Sequence, residues 1–371
     1  MSRGVPGIWS GPVWALQSGL TGGGVSRAGL VWRAVAASVL HPRVMRRWMA
    51  VLAELHGRGI VIDLPAEYLR AVRPYVHRNT GTGTRVVQLV DHLDWMETAF
   101  MPAAFDMLVA GEAVVLADLP APRGCDFMRL QLRRAPPQSP EGELLLSLTL
   151  QRSADVQQKA VPVDASVLAL SRFRIDDVAC LVIGGVRGQR SQLRLSPNEI
   201  GQALSGWKPA VMMVRVAQEL ARHWGLSLVG LDPASHRLQG WTWQLSKRHR
   251  DTSLRIYSSY DALWEHFHAT KGPPGWVILP LNSDEKLEAT ALSPERRARQ
   301  ITRADYWLRV RNLLRARLRD VLQRPDREAR LSRLTESQTI AGMQEGGEFD
   351  FQNSEDMVPS RVLETGPGSL L

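Results

Sequence analysis

Cysteine and lysine are nearly missing from this chain, with two of the first and five of the second in 371 residues. Cys125 and Cys180 are too few for a disulfide scaffold or a cysteine-built zinc site, and a reducing compartment follows. With so little lysine, 41 of the 46 basic residues are arginine, and the net charge of +9 is arginine charge. Fields of that sign attract phosphate and anionic surfaces. An Arg-coated, solvated surface explains the same numbers, so nucleic acid is an unfavoured partner. No apolar run approaches the 18 or more residues of a membrane span. A secretory leader fits poorly, because Arg3 alone precedes a first apolar run that Pro6, Pro12 and Gly22–Gly24 interrupt. The phosphate-loop and dinucleotide fingerprints and the nucleophile elbow are missing, as is any cluster with metal-ligand spacing. The residues therefore spell out no cofactor and no metal.

What is present is a globular composition, 44% hydrophobic and 22% charged, enough for a sizeable core. Residues 1–26 read as a loosely ordered extension and 27–110 as a helical part. In the latter, Val31, Val35 and Val39, then Val44, Trp48, Leu52 and Leu55, recur at helical spacing, and Pro42 splits them into two helices meeting near His41. A short helix follows Pro65, then a long one from Thr84 to Val109 that Pro102 is expected to kink.

After Gly111 the period shifts toward two. Strands are predicted at 113–116, 127–132, 144–150, 167–170 and 178–186, and their succession without intervening helices calls for antiparallel pairing. Ser196, Pro197 and Glu199 spell a capping box, and Pro209 opens a second helix that Gly225 stops. On that helix Met213, Val216, Ala217, Leu220 and Trp224 form an apolar face opposite Arg215, Gln218, Glu219 and Arg222. A strand at 226–231 follows, and then a turn over Asp232–His236. The fold class is α+β: N-terminal helices, then a mixed, largely antiparallel sheet with packed helices, then a C-terminal basic helix. The core is assigned to 111–325 and an acidic tail, expected to be disordered, to 335–371. Removing the tail's net charge of −6 from +9 leaves about +15 on the body.

Trp241, Trp243, Tyr257, Tyr260, Trp264 and Trp276 alternate with Lys247, Arg248, His249 and Arg250. Such a set suits stacking on single strands, and strand alternation explains Trp241 and Trp243 equally well as core. The helix predicted over 294–321 carries nine arginines and reads as a docked, solvated helix or as a contact for an anionic membrane surface.

Four motifs in order resemble the VirK/YbjX family of bacterial proteins: Ile183-Gly-Gly-Val-Arg-Gly188, Ser205-Gly-Trp-Lys-Pro209, Gly230-Leu-Asp-Pro-Ala-Ser-His236, and Tyr257-Ser-Ser-Tyr-Asp-Ala-Leu-Trp-Glu265. Arg303-Ala-Asp-Tyr306 with Arg309 resembles that family's C-terminal basic motif. Ser205 departs from the histidine expected at that turn. The resemblance implies a protein of the cytoplasm or the inner membrane face that supports virulence, envelope integrity and tolerance of antimicrobial peptides, without a known reaction.

Three functions compete. The first is an accessory role without catalysis. The second is acyl transfer, because a glycine-bearing strand followed by the Pro209–Trp224 helix and a further strand is compatible with acyl-CoA N-acyltransferase folds, where backbone amides receive a pyrophosphate. In that reading acyl-CoA is the cofactor, Gly185, Arg187 and Lys208 face its phosphates, and His236 or Glu265 takes the proton of an amine. Tyr260, Asp261 and Trp264 are the remaining pocket candidates. The third, nucleic-acid binding, is the least favoured.

Overall fold

The computed structural model describes Val13 and residues 25–60, 63–73, 75–78, 80–152, 162–188, 195–236, 260–281 and 293–323. The expectations for the rest of 1–24, for Trp241, Trp243, Lys247–Arg250 and Tyr257, and for the acidic tail lie outside these residues.

Helices α1 (Val25–Leu40) and α2 (Pro42–Gly57) break at His41 as the proline requires, and α2 buries Met45, Trp48, Met49, Leu52 and Leu55. Helix α3 (Leu64–Arg70) starts at Asp63, whose carboxylate accepts the Ala66 N–H at 3.0 Å. The long helix expected to kink at Pro102 is two helices, α4 (Thr82–Ala99) and α5 (Pro102–Val109). Phe100 and Met101 between them are extended, Met101 because the following proline excludes the helical region, and Phe100 because it bridges to Leu322.

Strands β1 (Ala113–Leu119), β2 (Cys125–Arg134), β3 (Leu144–Arg152), β4 (Val163–Ile175) and β5 (Val178–Arg187) pair consecutively and antiparallel. The chain then crosses over through α6 (Pro197–Ala203) and α7 (Pro209–Trp224) and returns as β6 (Ser227–Leu231), parallel to β5. A helix, α8, covers 260–266. The short β7 (Thr270–Lys271) and β8 (Trp276–Leu279) finish an eight-stranded sheet of order β1-β2-β3-β4-β5-β6-β8-β7. Helix α9 (Pro294–Val321) returns along β1. No helix among the described residues is long and apolar enough to cross a membrane.

The alternation of the strands sorts the two faces. Leu144, Leu146, Leu148 and Leu150 of β3, with Leu168 and Leu170 of β4, enter the main core, which α7 and the N-terminal helices share. Leu145, Val167, Ala169 and Ala135 make a small separate cluster on the opposite face. Helix α7 is buried on its polar side as well. Gln218 donates to the Pro280 carbonyl at 2.7 Å, Arg222 to that of Leu281, and Glu219 meets Arg222, Arg311 (2.6 Å) and Arg315 (3.1 Å), so the side expected to face water lies under α9 and residues 280–281.

Candidate functional site at the open end of strand β5

The parallel pairing of β5 with β6 ends at Ile183 opposite Gly230, although β5 runs on to Arg187 with β4 as its only strand neighbour among the described residues. The register on β4 shifts at the same point. Ala169 faces Gly185 and Leu170 faces Ile183, leaving Gly184 as an extra, bulged residue. From Gly184 to Arg187 no described strand therefore pairs with the β6-side edge. One group on it is engaged, since the Val186 N–H donates to the Tyr260 hydroxyl at 2.8 Å.

The two glycines of this bulge admit neighbouring chain. A Cβ at Gly184 would run into the Glu141 carbonyl oxygen and lie 2.9 Å from Val76 Cγ1, and one at Gly185 would lie 2.6 Å from Glu141 Oε2. The segment over 75–78 ties the two sides of the opening together. Val76 N–H donates to Pro140 O at 2.7 Å, Arg78 N–H to Ser235 O at 3.1 Å, and His77 forms a β-bridge with His236. Val76 holds φ at +27°, a conformation a β-branched residue rarely accepts, and these hydrogen bonds hold it there.

A cavity of about 530 Å³ opens on the α7 side, a size that suits a small ligand. Val186 and Gly188 supply one wall, the Gly206–Lys208 turn and the first residues of α7 a second, and Tyr260, Leu263 and His266 a third. Left-handed Ser205 (φ +54°) and Gly206 (φ +87°) turn the chain from α6 into α7, whose Lys208 N-cap carries no side-chain cap hydrogen bond. Arg303 of α9 reaches the same place. Its Nε would lie 3.1 Å from a Cβ on Gly206, and its carbonyl accepts the Trp207 indole N–H at 3.1 Å. Two cationic side chains, Lys208 and Arg303, thus flank the positive end of the α7 dipole.

The predicted site residues separate into three groups. Lys208 and Tyr260 line this cavity. Gly185 and Arg187 lie toward the Glu141 loop, where the Arg187 Nε is 3.1 Å from Glu141 Oε2. The other four line neither wall. His236 is buried at the end of the turn after β6, its ring 6.0 Å from that of Tyr260. Trp264 packs on Gly230 and donates its indole N–H to Leu231 O at 3.1 Å. Asp261 and Glu265 are exposed on α8. Desolvation, then Asp232 and Glu265, raise the Asp261 carboxyl above its usual range. The His77 imidazole is lowered by burial and by Arg78, against the pull of Asp232. Trp276 stacks on that imidazole with ring centres 5.6 Å apart.

Two ionisable cavity residues, His266 and Arg303, are not among the predicted site residues. The spacing of Tyr260, Leu263 and His266, at i, i+3 and i+6, was the available signal for the first, and the basic motif on α9 for the second. Among the described residues no group of three or more histidine, cysteine, aspartate or glutamate side chains could hold a metal ion.

An α+β domain with an opening beside one parallel strand pair is the class these features define. The chain belongs to the family described as "Protein of unknown function (DUF535)", whose model matches residues 24–305, about three-quarters of its length. No curated protein and no solved structure matches it.

Proposed function

We propose that this chain is an acyl-CoA-dependent acyltransferase acting on an amine, in the service of bacterial surface components. The observation that carries the reading is the opening of β5 from β6 beside the uncapped start of α7, with Lys208 and Arg303 at hand. A helix start of this length offers N–H groups and partial positive charge to a phosphate, and the two cations would hold a pyrophosphate there. The open edge at Val186 then offers a backbone N–H to the thioester carbonyl once the Tyr260 hydroxyl yields it. On transfer the amine nitrogen bonds the acyl carbon, the carbon–sulfur bond breaks, and the proton that leaves the nitrogen ends on the thiolate. Tyr260, on the cavity wall, would give its proton to the leaving thiolate, and His236, its ring 6.0 Å from that of Tyr260, would pass Tyr260 the proton lost by the amine. Glu265, exposed on α8, is less suited to this role than His236. The setting, envelope integrity at the cytoplasmic face, rests on the likeness to the VirK/YbjX family.

Melting temperature with and without CoA and acetyl-CoA tests the reading. A ligand at a hundred times its Kd stabilises the native state by about 2.7 kcal/mol, a rise of several degrees. Lys208→Ala and Arg303→Ala should each weaken CoA binding by about tenfold or more, the worth of one charge-assisted contact. No shift at high ligand concentration would leave the accessory, non-catalytic role as the better reading.

A further inference from the structure

A second cavity lies on the other face of the sheet, back to back with the first. Along β5, Val186 lines the cavity beside α7 and the next residue, Arg187, lines a groove of about 780 Å³, while Gly188 borders both. The strand pairing agrees, since Val186 opposes Leu168 of the main core and Arg187 opposes Val167 of the small cluster. One strand's thickness separates the two spaces, and beyond Ile183 that strand has no strand partner on its β6 side among the described residues.

Three arginines and the carboxylates of Asp63, Glu67, Glu141 and Asp164 line the groove, and in two of the ion pairs the carboxylate sits deeper than the guanidinium group. Arg187 pairs with Glu141 at 3.1 Å, Arg133 with Asp164, and Arg134 with Glu67 at 2.9 Å. The side chains of Arg187 and Arg133 are 39% and 34% exposed, against 15% and 16% for Glu141 and Asp164, so at these two positions a solute meets the cation before its carboxylate. Arg133 and Arg134 each also bury an Nε–H that makes no hydrogen bond among the described residues, whereas the Arg187 Nε faces Glu141. Buried donors of this kind normally have an acceptor, and two of them border this groove. Arg133 on β2 and Arg187 on β5 stand three strand spacings apart, roughly 14 Å, which leaves room for a sugar-sized molecule between them.

We propose that this groove binds the acyl acceptor and that the acceptor is anionic, an amine bearing a phosphate or carboxylate held by Arg133 and Arg187. The acceptor role rests on the acyltransferase reading, whereas the binding of an anion does not. Across the open end of β5 the amine of such a molecule reaches a thioester lying on the α7 side.

Isothermal titration with glucosamine 6-phosphate, muramic acid and glucosamine tests the proposal, three amino sugars with a phosphate, a carboxylate and neither. One or both anionic sugars should bind at millimolar concentration, about tenfold or more tighter than glucosamine. Arg133→Gln and Arg187→Gln should each weaken that binding about fivefold or more. Glu141→Gln, which frees Arg187 from its carboxylate, should tighten it, a direction that damage to the fold does not produce. Equal binding of all three sugars, no binding of either anionic one, or a Glu141→Gln variant weakened like Arg187→Gln would overturn the proposal. A CoA titration on the same protein separates the two readings. Anionic sugar bound without CoA removes the acyltransferase and with it the acceptor role, leaving an anion site. CoA bound without anionic sugar removes the groove alone.

Discussion

Replacing Glu219 with glutamine probes how the C-terminal helix is held. The Glu219 side chain is 3% exposed and meets three guanidinium groups, Arg222 of its own helix and Arg311 and Arg315 of α9. Glutamine keeps the shape and removes the charge, so no cavity forms. Hydrogen bonds to charged groups contribute about 1.5–3 kcal/mol each when shielded, but the arginines are 23%, 24% and 48% exposed and regain water when released. The Arg315 pair, half in solvent, is worth about 1 kcal/mol or less. Arg222 and Arg311 together add roughly 2 kcal/mol after screening. The expected cost is about 2–3 kcal/mol, read in urea as a lower midpoint at an unchanged slope, with tryptophan emission as the signal. Amides of α9 should exchange faster with solvent, since the cluster is its polar link to α7. Arg315→Gln should cost less than half as much. A change under about 0.5 kcal/mol with α9 exchange unaltered would refute the assignment, because it would place the cluster among ordinary surface substitutions.

Acid should destabilise the fold through His92. This imidazole is fully buried, its Nδ1 accepts the Arg172 N–H at 3.0 Å, and burial, then Arg134, Arg70 and Arg172, hold it well below its usual pKa of 6.5. The unfolded chain takes up a proton near pH 6.5 and the folded one does not, so this contribution is whole above 6.5 and falls away below it, by up to about 1.4 kcal/mol per pH unit. His92→Gln should flatten the stability profile between pH 6.5 and 5, and an unchanged slope there would point to other groups, His77 first, which shifts in the same direction. The adjacent glycines of the bulge should differ in degree. Gly184→Ala sets a methyl group against the Glu141 carbonyl oxygen and Val76, an overpacking worth roughly 1–3 kcal/mol, while Gly185→Ala meets the Glu141 side chain, whose carboxylate can swing aside and whose Cβ, 2.8 Å away, yields only with the backbone, so it should cost less but not nothing. Chemical denaturation of the two variants side by side checks the order, and equal costs would contradict the bulge geometry.

Much of the fold was legible because local signals and tertiary packing agree. Pro42 and Gly225 end helices where their backbone chemistry says they should, and the Ser196–Glu199 capping box is present with both of its hydrogen bonds. Pro102 was read as a kink and is a full break, because Phe100 is drawn into a bridge with Leu322, over two hundred residues away and invisible to any local pattern. The polar side of α7 misled for the same reason. Arg215, Gln218 and Glu219 look like a solvent face until distant segments cover them, when Arg215 stacks 4.5 Å from the Trp207 ring, Gln218 meets Pro280 and Glu219 gathers the arginines of α9. At the site, Lys208 and Tyr260 were identifiable as cavity residues, whereas Arg303 joins them only through the return of α9. Nothing in the sequence distinguishes the parallel partner of β5 from an antiparallel one except the length of the crossover, and the point where that pairing stops is set by the bulge at Gly184.

Where the family match ends matters for anyone cutting the gene. Residue 305 falls inside α9, two residues past its junction with Gly206 at Arg303. A fragment trimmed to the matched span would keep Arg303 and so look complete at the cavity. It would lose Val310, Leu314 and Leu318 from the core and two of the three arginines that neutralise Glu219. The shortest self-sufficient unit therefore extends to about Gln323, whose backbone and side chain close the helix back onto Ala99 and Phe100.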